Sequence, residues 1–265
     1  MEPVNAFPYF KKIQLDNPAW ILDNKRNGYY IATGQLLSLS KKTQHSKHQS
    51  TSVDTEGDFA AAWLEHGASP KDGSYEYAIL VGADLGRIEA FCKRMQASET
   101  AAYTVLRKDH SAHIVQDKET GTIGFALFEA SDYIDTGHVA AVDTPSMVMI
   151  REAGNRLFVS AVDPDLRLYE GIEPDQYDEH GRQKEVSVYS RKWVHAESIP
   201  RIMHLTLRGS WVLADDEEHV RVMPSDVMLT LVEPACQNER DAIYTVIEIT
   251  CKDAIPREFV LVRAD

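Results

Sequence analysis

The sequence predicts an all-β protein made of antiparallel β-sandwich units joined by one amphipathic helix. Short apolar or alternating segments recur between Gly, Pro, Asp and Asn residues, and three pairs of these segments flank turn sequences. A single segment has clear helical periodicity. With 265 residues, 43% of them hydrophobic, the chain is long enough for one large or two modest domains with a real core.

The predicted strands follow one another along the whole chain. In order, these segments are 29–40, 74–82, 103–108, 112–130, 146–162, 201–214, 227–233, 242–252 and 258–264. Three hairpins are predicted where turn residues separate neighbouring strands: KETG joins HIVQD to TIGFALF, EAGN joins SMVMIR to RLFVSAV, and PACQNERD joins VMLTLVE to AIYTVIEIT.

The helix is predicted over ADLGRIEAFCKRMQAS (83–98), because the apolar residues of this segment fall on one face. Asp84 is the expected N-cap, since its side chain can accept from a free backbone N–H of the first turn. A helix between two blocks of strands is expected to connect two β units. The polar, turn-rich segment 163–185 is expected to be a long surface loop or an insertion.

The charge distribution narrows the classes of partner. The formal net charge of −13 argues against nucleic acid or an anionic membrane, and no apolar run approaches the ~20 residues of a membrane-spanning helix. Residues 1–100 carry 11 Lys and Arg against 12 Asp and Glu, whereas residues 101–265 carry 17 against 29. We therefore expect an anionic ligand to meet the first part of the chain.

The segment TEGDFAAAWLEHGASPKDGSYEYAIL (55–80) crowds charged residues around alanines and aromatics. Glu65 and His66 are adjacent, so a strand would point them to opposite sides, and they do not form a catalytic or metal-binding pair by themselves. We interpret the segment as a strand, a GASPKDG turn and a second strand. The alternative for its first half is a helix that Gly67 would end.

The segment KKTQHSKHQS (41–50) contains the candidate binding residues Lys41, Lys42, His45 and His48. Ammonium and imidazole groups among hydroxyl and amide donors are suited to bind sulfate or carboxylate. The alternative is a solvated loop between strands. No zinc-site spacing is present, and GxSxG, GxGxxG after a strand, a P-loop and HExxH are all absent from the sequence, so no catalytic residue, metal or cofactor is predicted.

The cysteines Cys92, Cys236 and Cys251 form neither a CxxC motif nor a disulfide framework. We expect buried free thiols, since cysteine is among the most buried residue types. The alternative is that Cys236 and Cys251 face each other from neighbouring strands.

Several motifs resemble the carboxy-terminal region of chondroitin sulfate ABC lyases, in polysaccharide lyase family 8. The resemblance starts at NGYYIA, weakens after about residue 166, where an insertion is expected, and resumes at LTLRGSW (205–211). The motifs between these points are TEG (55–57), AWLEHG, PKDGSYEY, YTVLRKD (103–109), HIVQDK (113–118), TIGFALFE (122–129), TPSMVM (144–149) and LFVSAVDPDL (157–166).

The resemblance implies that residues 1–97 end a central β-sandwich domain and that residues 98–265 form a terminal one. Family members cleave by β-elimination: one group neutralises the uronic carboxylate, a base removes the C5 proton, and an acid protonates the leaving oxygen. Those groups lie mainly on a helical toroid that precedes every motif matched here. The chain alone is therefore expected to be inactive and to scaffold the toroid of an exported parent enzyme, in the periplasm or outside the cell.

The expected partners are thus a glycosaminoglycan of the chondroitin or dermatan type and the toroid of the parent chain. Lys41, Lys42, His45 and His48 are expected on the substrate side. A function of a different class remains open, namely an autonomous carbohydrate-binding β-sandwich module, which would bind a glycan without contributing to a catalytic cleft.

Overall fold

In the computed structural model, the described residues are 4–165, 178–182, 200–214, 227–232 and 243–264. The chain divides into two compact units, residues 1–102 and 103–265. The first unit contains six strands and one helix: β1 (Tyr9–Gln14), β2 (Ala19–Leu22), β3 (Gly28–Ile31), β4 (Leu36–Lys47), β5 (Asp54–Leu64), β6 (Tyr77–Leu80) and α1 (Leu85–Arg94), counted over the described residues 4–102.

Two three-stranded antiparallel sheets form the first unit, in the orders β1-β4-β5 and β2-β3-β6. They pack together through buried Leu15, Ile31 and Leu37, with half-buried apolar residues around them. Because side chains alternate along a strand, Leu37 and Leu39 face the other sheet, while Ser38 and Ser40 face away from it. We call the side of β1-β4-β5 that carries Ser38 and Ser40 the outer face.

Helix α1 covers the side of the β2-β3-β6 sheet that faces away from the β1-β4-β5 sheet. Asp84 is the N-cap, and its carboxylate accepts a hydrogen bond from the Arg87 backbone N–H at 2.8 Å, as predicted. The Phe91 ring meets the Tyr30 ring edge to face at 5.6 Å. The helix lies close to β3 because position 28 is a glycine: a Cβ there would be 3.0 Å from Ile88 Cδ1.

The second unit is a two-sheet antiparallel sandwich. Its strands are β7 (Tyr103–Lys108), β8 (Ala112–Asp117), β9 (Ile123–Leu127), β10 (Val139–Val142), β11 (Ser146–Ala153), β12 (Arg156–Val162), β13 (Arg201–Arg208), β14 (Trp211–Leu213), β15 (Val227–Val232), β16 (Tyr244–Cys251) and β17 (Arg257–Arg263). The sheet orders are β14-β17-β12-β11-β9-β8-β7 and β10-β13-β16-β15.

The core of this sandwich comes from alternating residues of both sheets. Ile114, Val148 and Leu261 are fully buried on the larger sheet, and Leu205 and Ile247 are fully buried on the smaller one. At one end Thr245 accepts from the Trp211 backbone N–H at 2.9 Å and donates to Gly209 O at 2.8 Å. These bonds satisfy polar groups that would otherwise be buried without a partner.

The predicted fold class is confirmed: the described chain is built of antiparallel sheets with one helix among its described residues. Segment 29–40 is two strands and not one, because the chain turns at Gly34, where φ is +81°. The short strands β1, β2 and β10 were not predicted. The expected surface loop at 163–185, the turn of the third hairpin and Cys236 lie wholly or mostly outside the described residues. The domain boundary at residue 97/98 stays a prediction.

Candidate functional site

The basic segment 41–50 is mainly β-strand, so the interpretation as a loop is wrong. Residues 41–47 form the distal half of β4 and pair without interruption with β5, from Lys41 opposite Ala60 to Lys47 opposite Asp54. The polar composition does not exclude a strand here, because a two-stranded arm that is exposed on both faces needs no alternation of apolar and polar residues. The chain turns back through residues 48–53.

The four predicted binding residues do not share one surface. Lys41 and Lys42 are neighbours in a strand, so their side chains point to opposite faces, and His45 lies on the Lys41 face. Lys41 Nζ donates to the Val4 carbonyl. Lys42 is exposed and forms no ion pair with any residue in the part of the chain that the structure describes.

His48 lies beyond the end of β4 and organises the turn. Its Nδ1 accepts hydrogen bonds from the backbone N–H groups of Ser50 and Thr51, both at 3.3 Å. Its own backbone pairs with Val53 and Ser52. These bonds give His48 a structural role in the turn beside the binding role predicted for it.

Acidic and polar residues of β5 lie opposite the basic residues on the Lys41 face. The cross-strand pairs are Thr43 with Asp58 at 2.7 Å, His45 with Glu56 at 3.5 Å, and Lys47 with Asp54 at 3.9 Å. The two ion pairs are highly exposed and therefore weak. They nevertheless reduce the positive potential that this face can offer to an anion.

Glu65 and His66 point in different directions, as predicted for adjacent residues of an extended segment. The Glu65 carboxylate lies 2.8 Å from Lys12 Nζ and accepts from Ser38 Oγ at 2.7 Å and from Trp63 Nε1 at 3.2 Å. The Lys12 ammonium, and then the Ser38 hydroxyl, hold the pKa of Glu65 below its usual range. Glu65 therefore anchors side chains of the outer face and is not a free acid or base.

His66 belongs to a row of rings. Its imidazole lies 5.8 Å from the Tyr75 ring, which stacks on Tyr77 at 6.0 Å with an interplanar angle of 21°. The row borders a groove of about 1320 Å³ in the first unit. The walls of the groove are largely apolar or aromatic and include Tyr29, Ile31, Leu39, Ala60, Tyr77 and Ile79.

The described residues contain no group of three or more His, Cys, Asp or Glu placed to hold a metal ion. Cys92 and Cys251 are buried free thiols, and burial raises the pKa of each. No helix in the described ranges is long and apolar enough to cross a membrane.

Two family models match the chain in sequence. Residues 6–92 match the super-sandwich domain of polysaccharide lyase family 8, and residues 104–167 match the C-terminal β-sandwich domain of the same family. The chain belongs to polysaccharide lyase family 8. The resemblance inferred from the motifs is thereby confirmed.

Its relatives in this family include enzymes named for chondroitin sulfate. The chondroitin sulfate ABC exolyase of Bacteroides thetaiotaomicron is 32% identical over 88% of this chain, and that of Proteus vulgaris is 37% identical over 79%. The Proteus vulgaris ABC endolyase is 28% identical over 84% of the chain. The chain spans 22%, 20% and 19% of these relatives, about a fifth of their length.

Solved lyase structures share the fold. A Paenibacillus xanthan lyase aligns with a TM-score of 0.60 and 12% identity, over 97% of this chain and 21% of the lyase. A Streptomyces coelicolor chondroitin AC lyase aligns with a TM-score of 0.52 and 12% identity, over 94% of this chain and 27% of that enzyme.

Sequence reasoning missed the grouping on the outer face. Lys12 lies opposite Ser38, which lies opposite Trp63, so three strands bring residues distant in sequence into one row. The alternation of Phe59, Ala61 and Trp63 along β5 was a usable signal. β1 was not predicted, and without it Lys12 had no place beside Glu65.

Proposed function

We propose that this chain is the carboxy-terminal β region of a glycosaminoglycan lyase of the chondroitin/dermatan type. In this role it scaffolds a helical toroid that carries the groups for β-elimination, and it forms part of one wall of the substrate cleft. The observation that carries the proposal is the pair of family matches, at 6–92 and 104–167, which are both to β domains of the family.

The side chains support a scaffold better than a self-contained reaction centre. Elimination needs a positioned base near the C5 proton and a cation near the uronic carboxylate. On the outer face the carboxylate of Glu65 is held by Lys12, and on the opposite face His45 is paired with Glu56. We therefore place the elimination chemistry on the toroid.

We also propose that Lys41, Lys42, His45 and His48 lie on the substrate side. Residues 1–100 are nearly neutral, with 11 Lys and Arg against 12 Asp and Glu, whereas residues 101–265 carry 17 against 29. A polyanionic substrate is repelled less by the first part. By the same proposal, the parent enzyme is exported, since its polymeric substrate lies outside the cell.

A chimera tests the function. In the Bacteroides thetaiotaomicron exolyase, the segment that matches this chain is deleted or replaced by residues 1–265, and release of unsaturated uronate from chondroitin sulfate is followed by ultraviolet absorbance. We expect turnover in the chimera and little in the deletion variant. Full activity of the deletion variant would contradict the scaffold role.

The substrate-side residues are tested in the same chimera. Replacing Lys41, Lys42, His45 and His48 together by alanine is expected to raise KM for chondroitin sulfate, with a smaller effect on kcat, since the residues act in binding and not in proton transfer. The matched control replaces Lys25 and Lys71, two lysines of the same unit that lie outside this segment. Unchanged KM in the fourfold variant would remove these residues from the substrate side.

A further inference from the structure

The outer face of the β1-β4-β5 sheet combines aromatic rings with lysines. Cross-strand register places the residues of this face in rows, which are Lys12, Ser38 and Trp63, then Phe10, Ser40 and Ala61, then Lys42 and Phe59. Neighbouring rows are two residues apart along the strands, or roughly 7 Å. The rings therefore lie at intervals across one continuous surface.

The three rings are unusually exposed. Phe10 is 60% exposed, Phe59 is 54% exposed and Trp63 is 41% exposed. A cluster of exposed aromatic side chains normally marks an interaction site. The Phe10 and Trp63 rings lie 6.3 Å apart with a 39° interplanar angle. The Trp63 indole is fixed by its hydrogen bond to Glu65 at 3.2 Å.

Phe59 is placed by a glycine on its own strand. A Cβ at Gly57 would be 2.9 Å from Phe59 Cε2, so the ring lies directly over the glycine. Phe59 and Trp63 are four residues apart on β5, a span of roughly 13 Å in a strand. A ligand that stacks on both rings must therefore be extended, and the residue between them on this face of β5 is the small Ala61.

The charges on this face favour an anion. Among their described residues, strands β1, β4 and β5 place no acidic side chain on this face, and Glu65, which directly follows β5, is neutralised by Lys12 at 2.8 Å. Lys42 is exposed beside Phe59 and has no ion-pair partner among the described residues. One positive charge therefore remains available next to an exposed ring.

We propose that the outer face is a binding surface for an extended anionic polysaccharide. Aromatic rings stack on the apolar C–H faces of sugar rings, and Lys42 binds a carboxylate or sulfate group of the same chain. An apolar protein sheet is a poorer occupant, because it would bury the Lys42 ammonium without a partner. The net charge of −13 disfavours a nucleic acid.

This surface goes beyond the proposed scaffold role, and it shares with the proposed function the polysaccharide used as probe and one residue, Lys42. Three of its residues, Phe10, Phe59 and Trp63, lie outside the basic segment. The surface would hold substrate chains near the enzyme through contacts that do not take part in the elimination.

The test is titration of the whole 265-residue chain with chondroitin sulfate. Binding is measured by calorimetry and by intrinsic tryptophan fluorescence. We expect saturable binding that weakens with salt, since Lys42 contributes charge. Phe59→Ala and Trp63→Ala are each expected to weaken binding about three- to tenfold. Trp63→Phe is expected to keep the affinity, because a ring remains, and to lose part of the fluorescence change, because the indole is gone. If Trp63 had only a structural role, its replacement would not remove a ligand-dependent fluorescence change while the affinity stayed the same.

Matched controls exist in the chain. Phe128 is 51% exposed but lies in the second unit, and Lys47 is exposed on the opposite face of β4. Phe128→Ala and Lys47→Ala are expected to bind as the parent does, whereas Lys42→Ala binds more weakly and with a smaller salt dependence. Circular dichroism of each variant checks the fold.

Three outcomes would overturn the proposal: no saturable binding, affinities of Phe59→Ala and Trp63→Ala that both equal that of the parent chain, or a dimer that dissociates on Trp63→Ala. The last would show that a second copy of the chain covers the face. Binding with neutral dextran as strong as with chondroitin sulfate would overturn the anionic class of ligand. None of these outcomes depends on lyase activity, so failure of this surface and failure of the proposed function are distinguishable.

Discussion

The hydroxyl of Ser38, a residue with no solvent exposure, donates a hydrogen bond to the Glu65 carboxylate at 2.7 Å. The same carboxylate accepts from Lys12 and Trp63. One acidic residue therefore satisfies a buried hydroxyl, pairs a lysine and orients an exposed indole. This arrangement makes Glu65 a structural residue of the first unit.

Glu65→Ala is expected to lower the free energy of unfolding of the first unit, because it leaves the buried Ser38 hydroxyl without its acceptor. Ser38→Ala in the same background is expected to recover part of the loss, since the unsatisfied hydroxyl is then gone. Urea unfolding of the single and double variants measures this coupling. Glu56→Ala, at an exposed residue of β5, is the control; additive effects of Glu65→Ala and Ser38→Ala would contradict the prediction.

Asp109 makes stability depend on pH. Arg107 first, and the backbone N–H groups of Ala112 and Ser111 next, lower the pKa of Asp109 from 3.8 to about 2. The folded pKa is below the unfolded one, so this stabilisation is present above pH 3.8 and is lost as the pH falls towards 2. Asp109→Asn is expected to lower Tm at pH 7 by a few degrees, with a difference that vanishes near pH 2.

Thermal unfolding between pH 2 and pH 7 measures this effect. Asp54→Asn is the matched control, because Asp54 is 90% exposed and lies 3.9 Å from its lysine partner. A Tm difference for Asp109→Asn that is constant across the whole pH range would show that its charge does not carry the stabilisation.

Thr245→Val is expected to destabilise the second unit by about 1–3 kcal/mol, because the buried Trp211 N–H loses its acceptor and Gly209 O loses its donor. The side-chain shape is retained, so cavity formation does not explain the loss. Thr250→Val, on the other face of the same strand, is expected to change stability by less than about 0.5 kcal/mol. Denaturant unfolding that ranks the two variants equally would argue against this role of the hydroxyl.

The buried thiols are expected to resist alkylation. Cys92 and Cys251 are 6% and 3% exposed, and burial raises the pKa of both, which lowers the fraction of reactive thiolate. Site-resolved mass spectrometry after iodoacetamide treatment should show both sites modified at least roughly tenfold faster in urea than in buffer. Equal rates in the two conditions would mean that these sites open readily in the native state.

Much of the fold was predictable because its strands are regular. The register of β8 with β9 and of β11 with β12 follows from apolar alternation and from tight turns after Asp117 and Ala153. Helix α1 was predicted by its apolar stripe and by Asp84, and the structure shortens it to Leu85–Arg94. Such local signals require no knowledge of distant contacts.

The candidate site was less predictable, because it depends on pairing between distant strands. The composition of segment 41–50 is as polar as that of a loop, yet eleven consecutive residue pairs with β5 hold residues 37–47 in a strand. Glu65 and Lys12 are separated by more than fifty residues, and only β1, a short strand missed from sequence, brings them together. Periodicity gives the face of a residue but not its partner across a sheet.

The most direct test of the central claim is the initial rate at which the purified 265-residue chain forms unsaturated uronate from chondroitin sulfate. The account places the elimination groups on a toroid, so it predicts a rate equal to that of the buffer blank, in a preparation whose circular dichroism shows folded β-sheet. A rate above the blank that persists through purification would contradict it, since the chain would then hold a reaction centre of its own.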